Sequence, residues 1–203
     1  MHSIKSGLLI ARIFGSSYGD VTFVPADDDY FGFATSRPPA KQTKASYRVR
    51  VPGVRKLTSD LVRGNRVLLC SERFKETIEE LGAPRVEFFP VDAFLSNNKP
   101  VESKYYGIHI SDRWPCLDLH ASEFFDKNSY TRSGNLDDVH SIQRMVLDIN
   151  KIPSDSKLFY IENSPFPYLP VVAMDSESKV LLSKNWSGFE WVSIHDFSWD
   201  EIS

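Results

Sequence analysis

The apolar positions of this chain fall into short runs that alternate between strand-like and helix-like spacing. Gly7 to Phe14, centred on Leu8-Leu9-Ile10-Ala11, reads as an opening strand. Tyr47-Arg48-Val49-Arg50-Val51 alternates strictly. A strand there places Tyr47, Val49 and Val51 on one face and both arginines on the other. Leu68-Leu69-Cys70 is an apolar strand ending at Ser71. Ser71 supplies the oxygen an N-cap needs, and Glu72 suits the positive end of a helix dipole. Phe74, Ile78 and Leu81 then recur at i, i+4 and i+7, which is one buried helical stripe, and Gly82 follows as the stop. The spacing therefore predicts a helix between Ser71 and Gly82.

Strands follow at Val86 to Val91 and Tyr105 to Ile110, with Asn97 to Pro100 as the turn between them. Cys116-Leu117-Asp118-Leu119-His120 alternates again. Ile142 to Ile149 fits either a short helix or a strand. Leu158 to Ile161, Val171 to Met174, Lys179 to Leu182 and Phe189 to Ile194 read as strands. Between them, Ser164 to Pro170 carries three prolines, too many for a regular ladder. Ser36 to Ser46 and residues 126–138 are polar and read as exposed loops.

One phrase occurs twice. Leu68 to Ser71, a helix, Gly82 and the aromatic strand Val86 to Phe94 are echoed near the C-terminus. There Val180-Leu181-Leu182-Ser183 leads through a short connector to Gly188-Phe189-Glu190-Trp191-Val192. The second copy lacks most of the helix. The expected class is α+β: strand-rich, mostly antiparallel sheets with a few short helices, two related β-rich parts packed as one unit. Residues 1–203 are expected to form a single domain, with 1–100 and 101–203 as its sub-lobes.

Composition supports a real core. Hydrophobic residues are 41% and charged residues 25%, near the globular average, while aromatics reach 13%. The net charge of −3 is unevenly laid out. Residues 37–66 hold nine Lys and Arg against Asp60 alone, which is +8, so the rest of the chain holds −11. Such a split steers charged partners. A nucleic-acid-binding module built on Arg48, Arg50 and Arg55 is one reading of the segment. Arginines that blunt an edge strand are the plainer one, and a pI near 6.0 does not suit a general nucleic-acid binder.

Cys70 and Cys116 are too few for a disulfide framework, and Cys70 after three apolar residues reads as a buried thiol. The apolar run near the start is interrupted by Arg12 and is too short to span a bilayer. A cytoplasmic protein is expected, with no membrane partner.

Candidate chemistry is sparse. His109, Asp112, Cys116 and His120 are all metal-competent, and a small metal- or thiol-dependent enzyme using them is the alternative reading. Their spacing matches no common zinc pattern, and a His flanked by two isoleucines on a strand is more often structural. No Gly-rich phosphate loop or nucleophile elbow is present. No catalytic residue, metal or cofactor is therefore assigned. For recognition, Asp27, Asp28, Tyr30 and Phe31 form one candidate patch, because carboxylates beside aromatic anchors suit a charge-complementary interface. Asp112, Arg113 and Trp114 form a second.

The phrase Leu68 to Phe74, with Gly82 and Glu87-Phe88-Phe89-Pro90-Val91, resembles a bacterial immunity-protein family of polymorphic toxin systems, typified by a myxobacterial protein. Tyr105-Tyr106-Gly107-Ile108-His109-Ile110, Leu117-Asp118, Leu158-Phe159-Tyr160 and the closing Gly188-Phe189-Glu190-Trp191 share the likeness, which covers residues 60–203. The shortened second repeat departs from the family pattern. The resemblance implies stoichiometric, non-catalytic neutralisation of a cognate toxin; no nucleic-acid partner is expected. It carries over no binding residues, since each member is tuned to its own toxin.

Overall fold

In the computed structural model, the residues described are 7–13, 22–23, 47–63, 68–124, 141–162, 170–174 and 184–200. They form thirteen strands and one α-helix. The strands are β1 (Gly7–Ile13), β2 (Thr22–Phe23), β3 (Tyr47–Val51), β4 (Leu61–Arg63), β5 (Leu68–Ser71), β6 (Val86–Leu95) and β7 (Tyr105–Ile110). They continue as β8 (Arg113–Trp114), β9 (Ser141–Ile142), β10 (Leu158–Ile161), β11 (Val171–Met174), β12 (Phe189–Ser193) and β13 (Trp199–Asp200). The helix α1 spans Glu72–Leu81. The class is α+β, as the sequence implies. The chain divides into two compact units: Ile13–Ser111 with Val180–Glu190, and Met1–Arg12 with Asp112–Lys179 and Trp191–Ser203.

The first unit is a six-stranded mixed sheet in the order β2-β3-β6-β7-β5-β4. β3 and β6 run parallel, and the other neighbours are antiparallel. Tyr47, Val49 and Val51 turn inward and Arg48 and Arg50 outward, as the alternation predicts. The inward residues join Leu69, Phe89, Val91, Ala93 and Tyr105 in one core, where the Tyr47 and Phe89 rings meet edge to face at 6.4 Å. Burying each large side chain of this kind contributes about 1.5–3 kcal/mol.

β6 runs to Leu95, one residue beyond the aromatic strand Val86 to Phe94 of the repeated phrase, because pairing continues past Val91 once β3 lies alongside. Pro90 is tolerated within it because it falls in the stretch paired to β7 alone; the β3 ladder begins one residue later, at Val91. The turn at Asn97 to Pro100 is present, with Asn98 at φ 61° and its N–H donating to the Leu95 carbonyl.

Helix α1 starts and stops where its caps dictate. Ser71 Oγ accepts from the Phe74 N–H at 3.2 Å, and Gly82 takes the left-handed conformation at φ 65°. Phe74, Thr77, Ile78 and Leu81 are buried. The two copies of the repeated phrase meet here: Phe74 packs against Trp186 at 5.4 Å and Phe189 at 5.6 Å. The shortened second copy therefore lays its aromatic end on the helix of the first. Gly188, at φ +83°, lets that segment pass Ser59, since a Cβ there would lie 2.5 Å from Ser59 Cβ.

The second unit holds most of a five-stranded sheet, β12-β1-β11-β10-β8, in which Ile13 of β1 and Phe189 and Glu190 of β12 are counted with the first unit, and the pair β13-β9. β10 and β8 run parallel, while β1 and β10 each run antiparallel to β11. Leu158, Phe159, Tyr160 and Ile161 are all buried, so β10 reads as a continuous apolar run and not an alternating one.

Two expectations differ here. The alternating run Cys116 to His120 is not a strand, because Asp118 turns the chain. Its Oδ1 accepts from the N–H groups of His120 and Ala121, and its carbonyl from that of Ser122. Ile142 to Ile149 is neither one helix nor one strand. It contains the end of β9, single bridges at Arg144 and Leu147, and the start of a 3-10 turn over Ile149–Lys151. Among the described residues no helix is long and apolar enough to cross a membrane. Asp27, Asp28, Tyr30 and Phe31 lie outside the described residues, as do the 36–46 and 126–138 loops and the strand expected at Lys179 to Leu182.

Candidate binding surface

The two faces of the six-stranded sheet differ. One carries the core around Val49 and Phe89. On the other, Leu68, Cys70, Ile108 and Ile110 are buried on β5 and β7, the two strands against which α1 packs. Farther across that face, the described side chains are more exposed. Arg48, Arg50, Pro90 and Asp92 are exposed there, and Phe88, Phe94 and Tyr106 are half-buried.

The cations on this face are held by rings. The Arg48 guanidinium lies 4.7 Å from the centroid of Phe94. Lys75 Nζ, projecting from α1, lies 5.3 Å from the Tyr106 ring and 5.8 Å from the Phe88 ring. Lys75 also pairs with Glu79 at 2.7 Å, and that hydrogen bond raises its pKa. Arg50 donates to Asn98 Oδ1 at 3.0 Å. At the helix end, Lys104 donates to Glu72 Oε1 at 3.1 Å and lowers the Glu72 pKa. Tyr106 donates to the same oxygen, and its hydroxyl pKa is raised, first by burial and then by the Glu72 charge.

The edge-strand reading of Arg48 and Arg50 is corrected here. β3 lies between β2 and β6, so it is an interior strand. Its arginines do not guard an edge; they stand over a sheet face, one on a ring and the other on the turn at Asn98. The alternation of 47–51 gave their direction, but the partner strand was not legible.

In the second unit, Asp112, Arg113 and Trp114 are brought together at β8, the end strand of the five-stranded sheet. They differ in exposure. Asp112 is 4% exposed, while Arg113 and Trp114 are half-buried. A hydrogen-bond chain links them: Trp114 Nε1 donates to Ser156 Oγ at 2.9 Å, and Ser156 Oγ donates to Asp112 Oδ2 at 2.8 Å. Asp112 thus orients the indole through Ser156. Arg113 stacks over Tyr160 at 4.8 Å. Ser156 was not picked out from the sequence, and no local pattern marks it.

The groups considered for catalysis or metal binding are dispersed. His109 is fully buried on β7 in the first unit. Cys116 is buried and His120 exposed in the second, along with Asp112. Cys70 is fully buried, and burial pushes its thiol pKa far above the ordinary value. Among the described residues, no three His, Cys, Asp or Glu side chains gather as a metal would need.

These features define an α+β protein whose sheets carry charged and aromatic surface and whose thiols are inside. Residues 33–155 match the model of the Immunity protein family (Imm11), and the chain belongs to that family. The match includes all of β3 to β9, so it takes in that face of the six-stranded sheet and the Trp114 corner. The comparison with curated proteins gives no match.

Proposed function

We propose that this chain is an immunity protein that binds one cognate toxin stoichiometrically and neutralises it without catalysis. The observation that carries this reading is its membership of the Immunity protein family over residues 33–155. The burial of both thiols and of His109 accords with it, since a nucleophile or general base must reach its substrate. The setting is a polymorphic toxin system, with the inhibitor acting in the cytoplasm. Two patches belong to this proposal: Asp27, Asp28, Tyr30 and Phe31, and the corner of Arg113 and Trp114 positioned by Asp112.

The test is a tagged pull-down from the native host, followed by expression of each captured protein alone. A partner that kills cells by itself, is silenced by co-expression of this chain and forms a complex of fixed ratio supports the proposal. Rescue that needs only catalytic amounts of the chain, or no toxic partner in a host shown to express its toxins, counts against it.

A further inference from the structure

We propose that residues 184–189 are an edge guard: they cover the outer side of β4 at its start and keep that strand from pairing with a second copy of this chain. The proposal does not depend on the immunity reading. Three observations carry it.

The first is where the edge lies. Among the described residues β4 ends the six-stranded sheet, with β5 as its neighbour. The Ser71 N–H donates to the Asp60 carbonyl at 2.9 Å, and the register pairs Leu61 with Cys70 and Val62 with Leu69. Hydrogen-bonded positions alternate along an antiparallel pair. Val62 therefore turns its N–H and carbonyl towards β5, while Leu61 and Arg63 turn theirs to the outer side.

The second is what lies on that side. The Asp60 N–H donates to the Ser187 carbonyl at 2.7 Å, and the Ser187 N–H returns to Asp60 Oδ2 at 2.9 Å. Gly188 then passes so close to β4 that a Cβ on it would lie 3.3 Å from the Leu61 carbonyl oxygen. The backbone of 187–188 thus occupies the space that an added strand would take at the start of β4.

The third is how the segment is held. Lys184 Nζ donates to Thr77 Oγ1 at 2.6 Å, and Arg73 donates to the Asn185 carbonyl at 2.7 Å. Trp186 rests against the Arg73 guanidinium at 5.0 Å and the rings of Phe74 and Phe189 at 5.4 and 5.5 Å. Much of the fastening is therefore to α1, through side chains that are only half-buried. Such a segment opens locally at lower cost than the sheet beneath it.

The strand it covers invites pairing. Leu61, Val62, Leu68, Leu69 and Cys70 give β4 and β5 an apolar, uncharged stretch, the kind of edge that proteins blunt or cover. A second copy presents the same edge at the same concentration. Two identical antiparallel edges complement each other about a twofold axis.

The experiment compares the full wild-type chain with Trp186→Ala by sedimentation velocity over a wide concentration range and by residue-resolved hydrogen exchange. In Trp186→Ala the Ser187 N–H should exchange about tenfold faster or more. The variant should also self-associate beyond wild type, with protection of the Leu61 and Arg63 amides rising with concentration. Association through the bared Phe74 and Phe189 rings would leave those two amides independent of concentration, and it overturns the proposal. So does a variant whose Ser187 N–H is released but which associates no more than wild type. An unchanged Ser187 N–H also overturns it, since Trp186 would then not hold the guard. If Trp186→Ala fails to fold, Trp186→Leu is decided by the same readouts, because it keeps apolar cover on Phe74 and removes the ring beneath Arg73.

Discussion

Arg73, in the first turn of α1, closes on Asp60 in the loop before β4: Nε lies 3.3 Å from Oδ1, and a terminal guanidinium nitrogen reaches Oδ2. Asp60 is buried and gathers more than this pair. Ser71 Oγ donates to Oδ1 at 2.7 Å, and the Ser187 N–H donates to Oδ2 at 2.9 Å. Arg73 in turn donates to the Asn185 carbonyl at 2.7 Å and stacks over Trp186 at 5.0 Å. One carboxylate therefore ties the start of α1 to the segment around Ser187, far away in sequence.

Removing that carboxylate leaves several donors without their acceptor. Asp60→Ala is expected to destabilise the protein by about 3 kcal/mol, the usual cost of breaking a largely buried, multiply bonded charge pair. Arg73→Ala should cost less, because half of the Arg73 side chain is exposed. Urea denaturation of both single variants and the double variant measures the coupling. A double-mutant cycle with no coupling energy contradicts the assignment.

Gly188 is fixed by two independent constraints, a positive φ of 83° and the 2.5 Å approach to Ser59 Cβ. Gly188→Ala should lower stability by about 2 kcal/mol or more. Ser59→Gly in the same chain should restore only part of the loss, since it relieves the close approach and not the backbone strain. Thermal melts of wild type and these two variants test this; full rescue would mean that the φ constraint is negligible.

The Trp114–Ser156–Asp112 chain makes a different prediction. Ser156→Ala deletes a hydroxyl that both accepts and donates, leaving the indole N–H and a buried carboxylate oxygen each one partner short. A loss of about 2 kcal/mol is expected. Ser156→Thr, which keeps the hydroxyl, should lose less if its methyl group is accommodated. Equal stability of Ser156→Ala and wild type would show that the chain contributes nothing.

Both cysteines are buried. For Cys70, burial also holds the thiol in its protonated, unreactive form at neutral pH. Neither should react with a thiol reagent such as DTNB in the native protein at pH 8, and both should titrate in guanidinium. Rapid native labelling of Cys70 would contradict its fully buried place on β5.

What the sequence determined by itself is local. The inward set of β3, the stripe and both caps of α1 and the turn at Asn97 to Pro100 depend on residues a few positions apart, whose preferences act without the rest of the fold. The repeated phrase was legible as well, but not that its second copy supplies Trp186 and Phe189 to the helix of the first. Tertiary structure decided which strands became neighbours. Arg48 and Arg50 point outward by alternation, yet only the order β2-β3-β6 makes their strand interior and brings Phe94 beneath Arg48. The run from Cys116 to His120 alternates like a strand, but Asp118 offers its carboxylate to two nearby N–H groups and the chain turns there. The sequence offers Asp112 as one member of a recognition patch; pairing of β8 with β10 and the hydroxyl of Ser156 make it a buried support for Trp114. The physical reason is common to these cases. Burial, sheet neighbours and hydrogen-bond partners separated by tens of residues are properties of the packed chain, and no window of the sequence contains both members of such a pair.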